Sequence, residues 1–258
     1  MSEKLLIVFD FDWSFIDQDS DRWVFEVLST ELRRTLQTRK SAGTGMQCMP
    51  EVVNETMLDL FKAGFKREDI LGALRVLPFH PAMKRAVTGL KSRLPETTFL
   101  CMSNSNQIYI HTLLEVQKHG LTDLFSEIIA NPAHWDSTQP DWLHVGRRIP
   151  SSAPPHNCPI GCLDNMCKGD ELDAYLAAHG GKDGFSRIVY IGDGKNDYCP
   201  LLRMRKGDLV LPRKGFELEK RIREDGGRSG LKVDVEIWEQ AWQIDELGYT
   251  IFQCFQAL

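Results

Sequence analysis

Leu5-Leu6-Ile7-Val8-Phe9-Asp10-Phe11-Asp12 decides the fold, because five apolar residues run straight into two aspartates. A run this short and this uniformly apolar reads as a strand buried on both faces, the pattern of a parallel sheet covered by helices. In such sheets ligands bind in the crevice beyond the carboxyl ends of the strands. Asp10 and Asp12 fall at that end. A second run, Ile188-Val189-Tyr190-Ile191, ends the same way in Gly192-Asp193-Gly194-Lys195-Asn196-Asp197. Two strands therefore deliver carboxylates to one edge, an arrangement suited to a metal ion and to phosphate chemistry.

Spacing alone carries little weight. Asp-x-Asp arises by chance on the order of once in a chain of this length, and it occurs three times here, also as Asp17/Asp19 and Asp19/Asp21. Position after a buried strand is what separates the first pair from the others. A calcium loop over Asp17-x-Asp19-x-Asp21 would need Gly at Arg22 and Glu at Leu28, and has neither.

The apolar runs 5–9, 98–102, 127–130, 187–191 and 208–211 are the expected strands, with helical patterns between them. One helix opens at Pro81 and keeps Met83, Val87, Leu90 and Leu94 on one face; another follows Asn106 and stops at Gly120. The expected class is α/β, a Rossmann-like parallel sheet with helices on both sides. Residues 20 to 77 interrupt the alternation with three helical patterns. The first is capped by Ser20 or Asp21, with Trp23, Val27, Leu28 and Leu32 apolar; a break follows at Ser41 to Gly45. A second helix passes through Val53, Met57, Leu60 and Phe61, and a third spans Glu68 to Leu77. The expected division is a core of residues 1–16 and 81–258 with a helical cap of 17–80, acting as a lid or as a packing module. The Pro-rich stretch 131–165 reads as irregular, its Trp135 and Trp142 serving packing or a pocket wall.

Bulk properties narrow the partners. A net charge of −5 over 258 residues argues against nucleic acid. The longest relevant apolar run, five residues, is too short for a membrane span or a signal-peptide core, so a cytoplasmic protein is expected. Seven cysteines fit reduced thiols better than a disulfide framework. His156-x-Cys158-x3-Cys162-x4-Cys167 is compatible with zinc, although its spacings are looser than the usual pairs. Metal, disulfide and free thiols stay open, as does the oligomeric state.

A carboxylate that attacks a phosphate dianion is repelled by about 4 kcal/mol per charge pair near a protein surface. The site therefore needs positive charge, from Mg2+ held by Asp10, Asp193 and the carbonyl of Asp12, and from Lys168. Asp10 would form an aspartyl-phosphate, and Asp12 would protonate the leaving alkoxide and then activate water. Ser103, after the second strand, would offer its hydroxyl and neighbouring N–H groups at a helix start, or simply cap that helix.

Asp10-Phe-Asp12-Trp13-Ser14, Ser103, Lys168 and Gly192-Asp193-Gly194-x-Asn196-Asp197 resemble the four motifs of the haloacid dehalogenase superfamily of phosphatases. Asp17-x-x-Ser20-Asp21, Asn131-Pro132, Asn165-Met166-Cys167-Lys168 and the stretch to Cys199-Pro200 resemble the branch with phosphoethanolamine/phosphocholine and pyridoxal phosphate phosphatases. The resemblance implies Mg2+ dependence and a small phosphate ester as substrate. It implies Asp10 as nucleophile and Asp12 as acid/base. Ser103, Asn104 and Lys168 would hold phosphate, Asp10, Asp12 and Asp193 the metal, and Asp197 with Gly194 a supporting role. Trp13, Asp21 and Asn104 would set specificity. Trp13 is bulkier than usual for the motif, and Asn104 stands where the amine-phosphate members carry a carboxylate, which favours phosphorylated B vitamins such as pyridoxal or thiamine phosphates over phosphocholine. A non-catalytic phosphate-binding protein on the same fold is the alternative. Carbon–phosphorus cleavage would need a cap lysine, with Lys40, Lys62 and Lys66 available.

Overall fold

The computed structural model describes residues 4–42, 49–116, 120–154, 156–228 and 230–256. Strand β1 (Leu5–Phe9) is buried along its whole length. Its side chains alternate between two cores: Leu5, Ile7 and Phe9 point to one face of the sheet and Leu6 and Val8 to the other. Burying each such side chain stabilises the fold by roughly 1.5–3 kcal/mol relative to exposure. That double burial is why β1 lies at the centre of the sheet.

Four helices come next in the chain, α1 (Ser20–Leu28), α2 (Thr30–Ala42), α3 (Met49–Lys62) and α4 (Arg67–Arg75). They are followed by α5 (Pro81–Arg93), β2 (Thr98–Asn106), α6 (Gln107–Val116) and β3 (Glu127–Asn131). A short antiparallel ribbon, β4 (Ala133–Trp135) and β5 (Leu143–Val145), precedes α7 (Lys168–Ala178). The chain ends through β6 (Arg187–Gly192), α8 (Tyr198–Leu201), β7 (Leu209–Pro212), α9 (Glu217–Asp225), β8 (Asp234–Val235) and α10 (Ala241–Gln256). The main sheet is six-stranded and parallel, in the order β3-β2-β1-β6-β7-β8. Helices α5, α6 and α10 contribute to the core on one face, and α7, α8 and α9 to the core on the other. This is the Rossmann-like α/β architecture expected. Among the described residues no helix is long and apolar enough to cross a membrane.

Several local expectations need correction. The first inserted helix is capped by Asp19, whose carboxylate accepts from the Arg22 N–H at 2.9 Å, not by Ser20 or Asp21. It buries Val24 and Phe25, leaves Val27 exposed, and stops at the extended Ser29. Leu32 therefore belongs to a separate helix. Part of the expected break at Ser41 to Gly45 lies outside the described residues. The irregular stretch 131–165 contains the β4–β5 ribbon, which the proline content obscured. Its Trp142 stacks on Phe61 of α3 with ring centroids 6.1 Å apart, and the Val145 N–H donates to Asn54 at 2.9 Å. Both tryptophans pack: Trp135 lies under the Arg67 guanidinium.

Candidate active site

Parallel pairing builds the site. Phe9 of β1 is in register with Ile191 of β6 on one side and with Cys101 of β2 on the other. The Asp10 N–H continues the ladder to the Ile191 carbonyl at 2.9 Å. The residues leaving all three strands must therefore meet beyond one edge. They line a cavity of about 240 Å³ that includes Asp10, Asp12, Trp13, Ser103, Asn104, Asp193 and Gly194.

Lys168, at the first position of α7, is fully buried behind that cavity. Its Nζ donates to Asp10 Oδ2 at 2.8 Å and to Asp197 Oδ1 at 2.7 Å. Asp197 has no spare acceptor. Its Oδ1 also accepts from the Tyr190 hydroxyl at 2.7 Å, and its Oδ2 accepts from the N–H groups of Asp193 (3.1 Å) and Gly194 (2.8 Å). It holds Lys168 and the 193–194 turn together. A Cβ on Gly192 would lie 2.7 Å from Asp197 Cγ, so the close approach requires glycine there. On the far side, Ser14 donates to Asp193 at 3.1 Å.

Carboxylate oxygens of Asp10, Asp193 and Asp197 lie within 4.8 Å of one another. Three carboxylates against one lysine leave two negative charges uncompensated. The physical consequence appears in their acidity. Burial, then the neighbouring Asp197, pushes Asp10 up to about 7 in spite of Lys168. Burial, then Asp10 and Asp197, pushes Asp193 up to about 8. Burial also works against the charge of Lys168, but Asp10 and Asp197 outweigh it and hold the ammonium well above its ordinary range. An all-oxygen, doubly negative cluster matches a hard divalent cation such as Mg2+, which binds through one or two carboxylates plus substrate oxygens.

Asp12 sits in a different environment. Residues Phe11–Phe15 form a wide turn in which Trp13 adopts φ 58, a conformation rare for a bulky side chain. The turn aims Asp12 away from Lys168. Its Oδ2 accepts from Ser20 at 3.1 Å, whereas its Oδ1 is buried without a partner. Burial, then Asp19 and Asp21, raises its pKa well above the carboxylate range. Burial and Asp19 likewise lift Asp21 to about 8.

Two expectations about β2 change. The strand continues to Asn106, so Ser103 does not stand at a helix start; α6 begins at Gln107, and Asn106 caps it by accepting from the Tyr109 N–H at 3.0 Å. Ser103 is therefore not a helix cap. It sits in the irregular part of β2, after the regular register with β3 has ended at Met102, and its Oγ accepts from the Ser105 N–H at 3.0 Å. Asn104 lines the cavity, its carbonyl accepts from Asn131, and its Oδ1 has no partner. Asn131 in turn accepts from Asn165 at 2.9 Å.

Asn196 of the Gly192–Asp197 motif and Lys40, one of the three cap lysines, line the cavity, Lys40 from α2. Some contributors were not foreseen. Asp19, Met49 and Ser105 line the cavity, Met49 from α3. Arg213, just past β7, donates to the Trp13 carbonyl at 2.7 Å and pairs with Asp17, anchoring the strained turn. Its place one residue beyond a strand of the same sheet edge was the available signal. The Tyr190 hydroxyl had none, because a tyrosine inside an apolar run reads as core.

Fold and site together define a phosphatase of the haloacid dehalogenase superfamily. The chain belongs to the family described as Putative Phosphatase, whose profile matches residues 5–250. It is 31% identical over 243 residues to a thiamine phosphate phosphatase-like protein of Arabidopsis thaliana, covering 92% of this chain and 91% of that one. It is 29% identical to the pyridoxal phosphate phosphatase PHOSPHO2 of Rattus norvegicus, covering 93% and 95%. In fold it resembles a phospho-aspartyl intermediate analogue of phosphoserine phosphatase, with a TM-score of 0.59, 15% identity and coverage of 96% and 99%.

Proposed function

We propose that the protein is a Mg2+-dependent phosphomonoesterase for a small phosphate ester with a planar, protonatable ring, of the pyridoxal phosphate or thiamine phosphate type. The observation that carries the chemistry is the buried Lys168 bridging Asp10 and Asp197, with the Asp193 carboxylate alongside. Asp10 Oδ attacks phosphorus, the ester P–O bond breaks, and the alkoxide leaves with a proton from Asp12. Water then attacks phosphorus of the aspartyl-phosphate, giving its proton back to Asp12 and releasing Asp10 and inorganic phosphate. Lys168, Ser103 and the N–H groups around Asn104 hold the phosphoryl oxygens. Asp10, Asp193 and the main-chain carbonyl of Asp12 are the groups that would hold Mg2+, which offsets the charge brought together by nucleophile and phosphate. Asp197 and Gly194 keep Lys168 and the 193–194 turn in place.

The proposed division is a core of 1–16 and 81–258 and a cap of 17–80, with Lys40 and Met49 as the cap's contribution to the cavity wall. Support for the ring comes from Trp13, a flat aromatic wall tilted against Phe216 at 5.8 Å. Asp19 and Asp21 are the carboxyl groups on the cavity wall that a ring cation would meet and hold ionised, and Asn104 leaves out the second carboxylate that a quaternary amine would want. The similarity to proteins named for thiamine phosphate and pyridoxal phosphate, over nine-tenths of each chain, supports the same class.

A panel of phosphate esters ranked by kcat/KM with Mg2+ tests this reading. Ring-bearing esters should lead phosphocholine and phosphoethanolamine, and a panel led by the amine esters overturns the substrate assignment. Folded protein that releases no phosphate from any ester would support a binding protein instead.

Mg2+ at a hundred times its Kd should add about 2.7 kcal/mol to stability, seen as a rise in Tm that chelation reverses. Asp193→Asn should remove that rise, and its persistence would place the ion elsewhere. Asp12→Asn should cost ~10²–10⁴-fold with alkyl esters and much less with aryl esters, whose leaving groups need no proton; equal losses contradict the acid role. Asn104→Asp should improve amine phosphates by roughly ten- to a hundred-fold, the worth of one charged hydrogen bond. An unchanged ranking would mean that residue 104 does not meet the substrate.

A further inference from the structure

Four cysteines converge beside the active site, and the proposed chemistry uses none of them. Cys158 Sγ lies 3.5 Å from Cys162 Sγ and 3.4 Å from Cys199 Sγ, and Cys199 Sγ lies 3.5 Å from Cys167 Sγ. All four sulfur atoms fall within 4.8 Å of one another, and all four thiols are free. A tetrahedral ion with metal–sulfur bonds of about 2.3 Å sets its sulfurs about 3.8 Å apart, close to the separations seen. Disulfides would join the sulfurs in pairs, whereas here all four sit within reach of a common centre.

The surroundings fit such a centre. Among the described residues, the segment 146–167 between β5 and α7 contains no helix or strand, and its Leu163 is 61% exposed. Of these residues only Met166 joins the buried core, with Ile160 packed against that core, and irregular segments of such length inside a compact domain call for another constraint. Arg203 lies against the cluster: its Nε and Cys199 Sγ both crowd the position that a Cβ on Gly169 would take, and it pairs with Asp170 at 3.0 Å. A guanidinium beside a thiolate cluster is the kind of outer contact that a metal tetrathiolate uses. His156 is engaged elsewhere, with its Nε2 2.9 Å from the Leu163 carbonyl.

We propose that Cys158, Cys162, Cys167 and Cys199 bind one structural zinc ion. Four soft ligands in a closed shell select zinc and leave no open position for catalysis. The ion ties together the two elements that carry the buried ion pair. Cys167 immediately precedes Lys168, and Cys199 follows Asp197 by two residues. The site thus acts as a positioning device behind the phosphate pocket, distinct in place and in donor chemistry from the carboxylate cluster.

Metal analysis of the full chain, purified without added metal, should find close to one zinc per chain. A mercurial titrating the thiols should release that zinc, and excess Mg2+ should not restore it. Refolding with Co2+ in place of zinc should give the intense visible absorption of a tetrahedral cobalt thiolate. The Cys158→Ser/Cys199→Ser variant should lose the ion and the cobalt spectrum. Gly169→Ala, whose Cβ would stand 2.6 Å from Cys199 Sγ, should weaken zinc retention without removing a ligand. If the double variant does not fold, the wild-type stoichiometry and cobalt spectrum decide alone. Metal-free folded protein in which Cys158, Cys162, Cys167 and Cys199 are all free thiols, a disulfide among them seen by mass spectrometry, or iron in place of zinc would each overturn the assignment. None of these readouts depends on turnover.

Discussion

Asp10→Asn should lower phosphate release by on the order of 10⁵-fold, the scale on which loss of a covalent nucleophile is felt, while the folded structure survives. The amide is isosteric but has a single oxygen for the two donors that Asp10 serves, Lys168 at Oδ2 (2.8 Å) and the Phe11 N–H at Oδ1 (2.7 Å), so one of them loses its acceptor. What it removes is nucleophilicity and a charge that burial already disfavours, as the rise of Asp10 to about 7 shows. The lost acceptor and the removed buried charge act in opposite directions, so thermal unfolding should change little even as activity vanishes. Rates near wild type in this variant would remove the covalent mechanism. An inactive variant with a collapsed Tm would mean that Asp10 serves structure more than chemistry.

Lys168→Met is expected to have the largest effect on stability. The ammonium is fully buried between two carboxylates that are themselves buried. Methionine fills the volume but leaves Asp10 and Asp197 facing each other without a cation. Removing one partner of a buried ion pair typically costs about 3–5 kcal/mol, which in a chain of this size lowers Tm by on the order of 10 °C. Activity should be lost as well. The diagnostic measurement is a double-mutant cycle: Asp10→Asn in the Lys168→Met background should recover part of the lost stability, because it removes one of the stranded charges. Strictly additive losses would show that the lysine acts through packing alone.

Much of this site could be read without coordinates, for reasons that are local. A buried strand followed by acids is a statement about neighbours in the chain, so Asp10, Asp12 and the Gly192–Asp197 loop were recognisable from burial pattern and position. Ser103 was placed by its position after the second strand and Lys168 by the need for a cation, and the resemblance of motifs supports both. Misreadings occurred where a local rule had competitors of equal strength. Three candidate caps stand in a row at Asp19, Ser20 and Asp21, and only the Arg22 N–H chooses among them. Ser103 precedes a helix-like pattern, but β2 runs on to Asn106, which takes the capping role instead.

By itself, the order of residues determined the α/β class, a first strand buried on both faces and the edge to which the carboxylates go, because side-chain period and solubility act within a few positions of the chain. Tertiary structure decided the rest. It set Tyr190 and two main-chain N–H groups on Asp197, placed Arg213 under the strained Trp13 turn, and brought Cys199 to three cysteines at least 32 positions away. Such meetings depend on the register of β1 against β6 and on how α7 and α8 pack, and register is a property of paired strands that no single segment encodes.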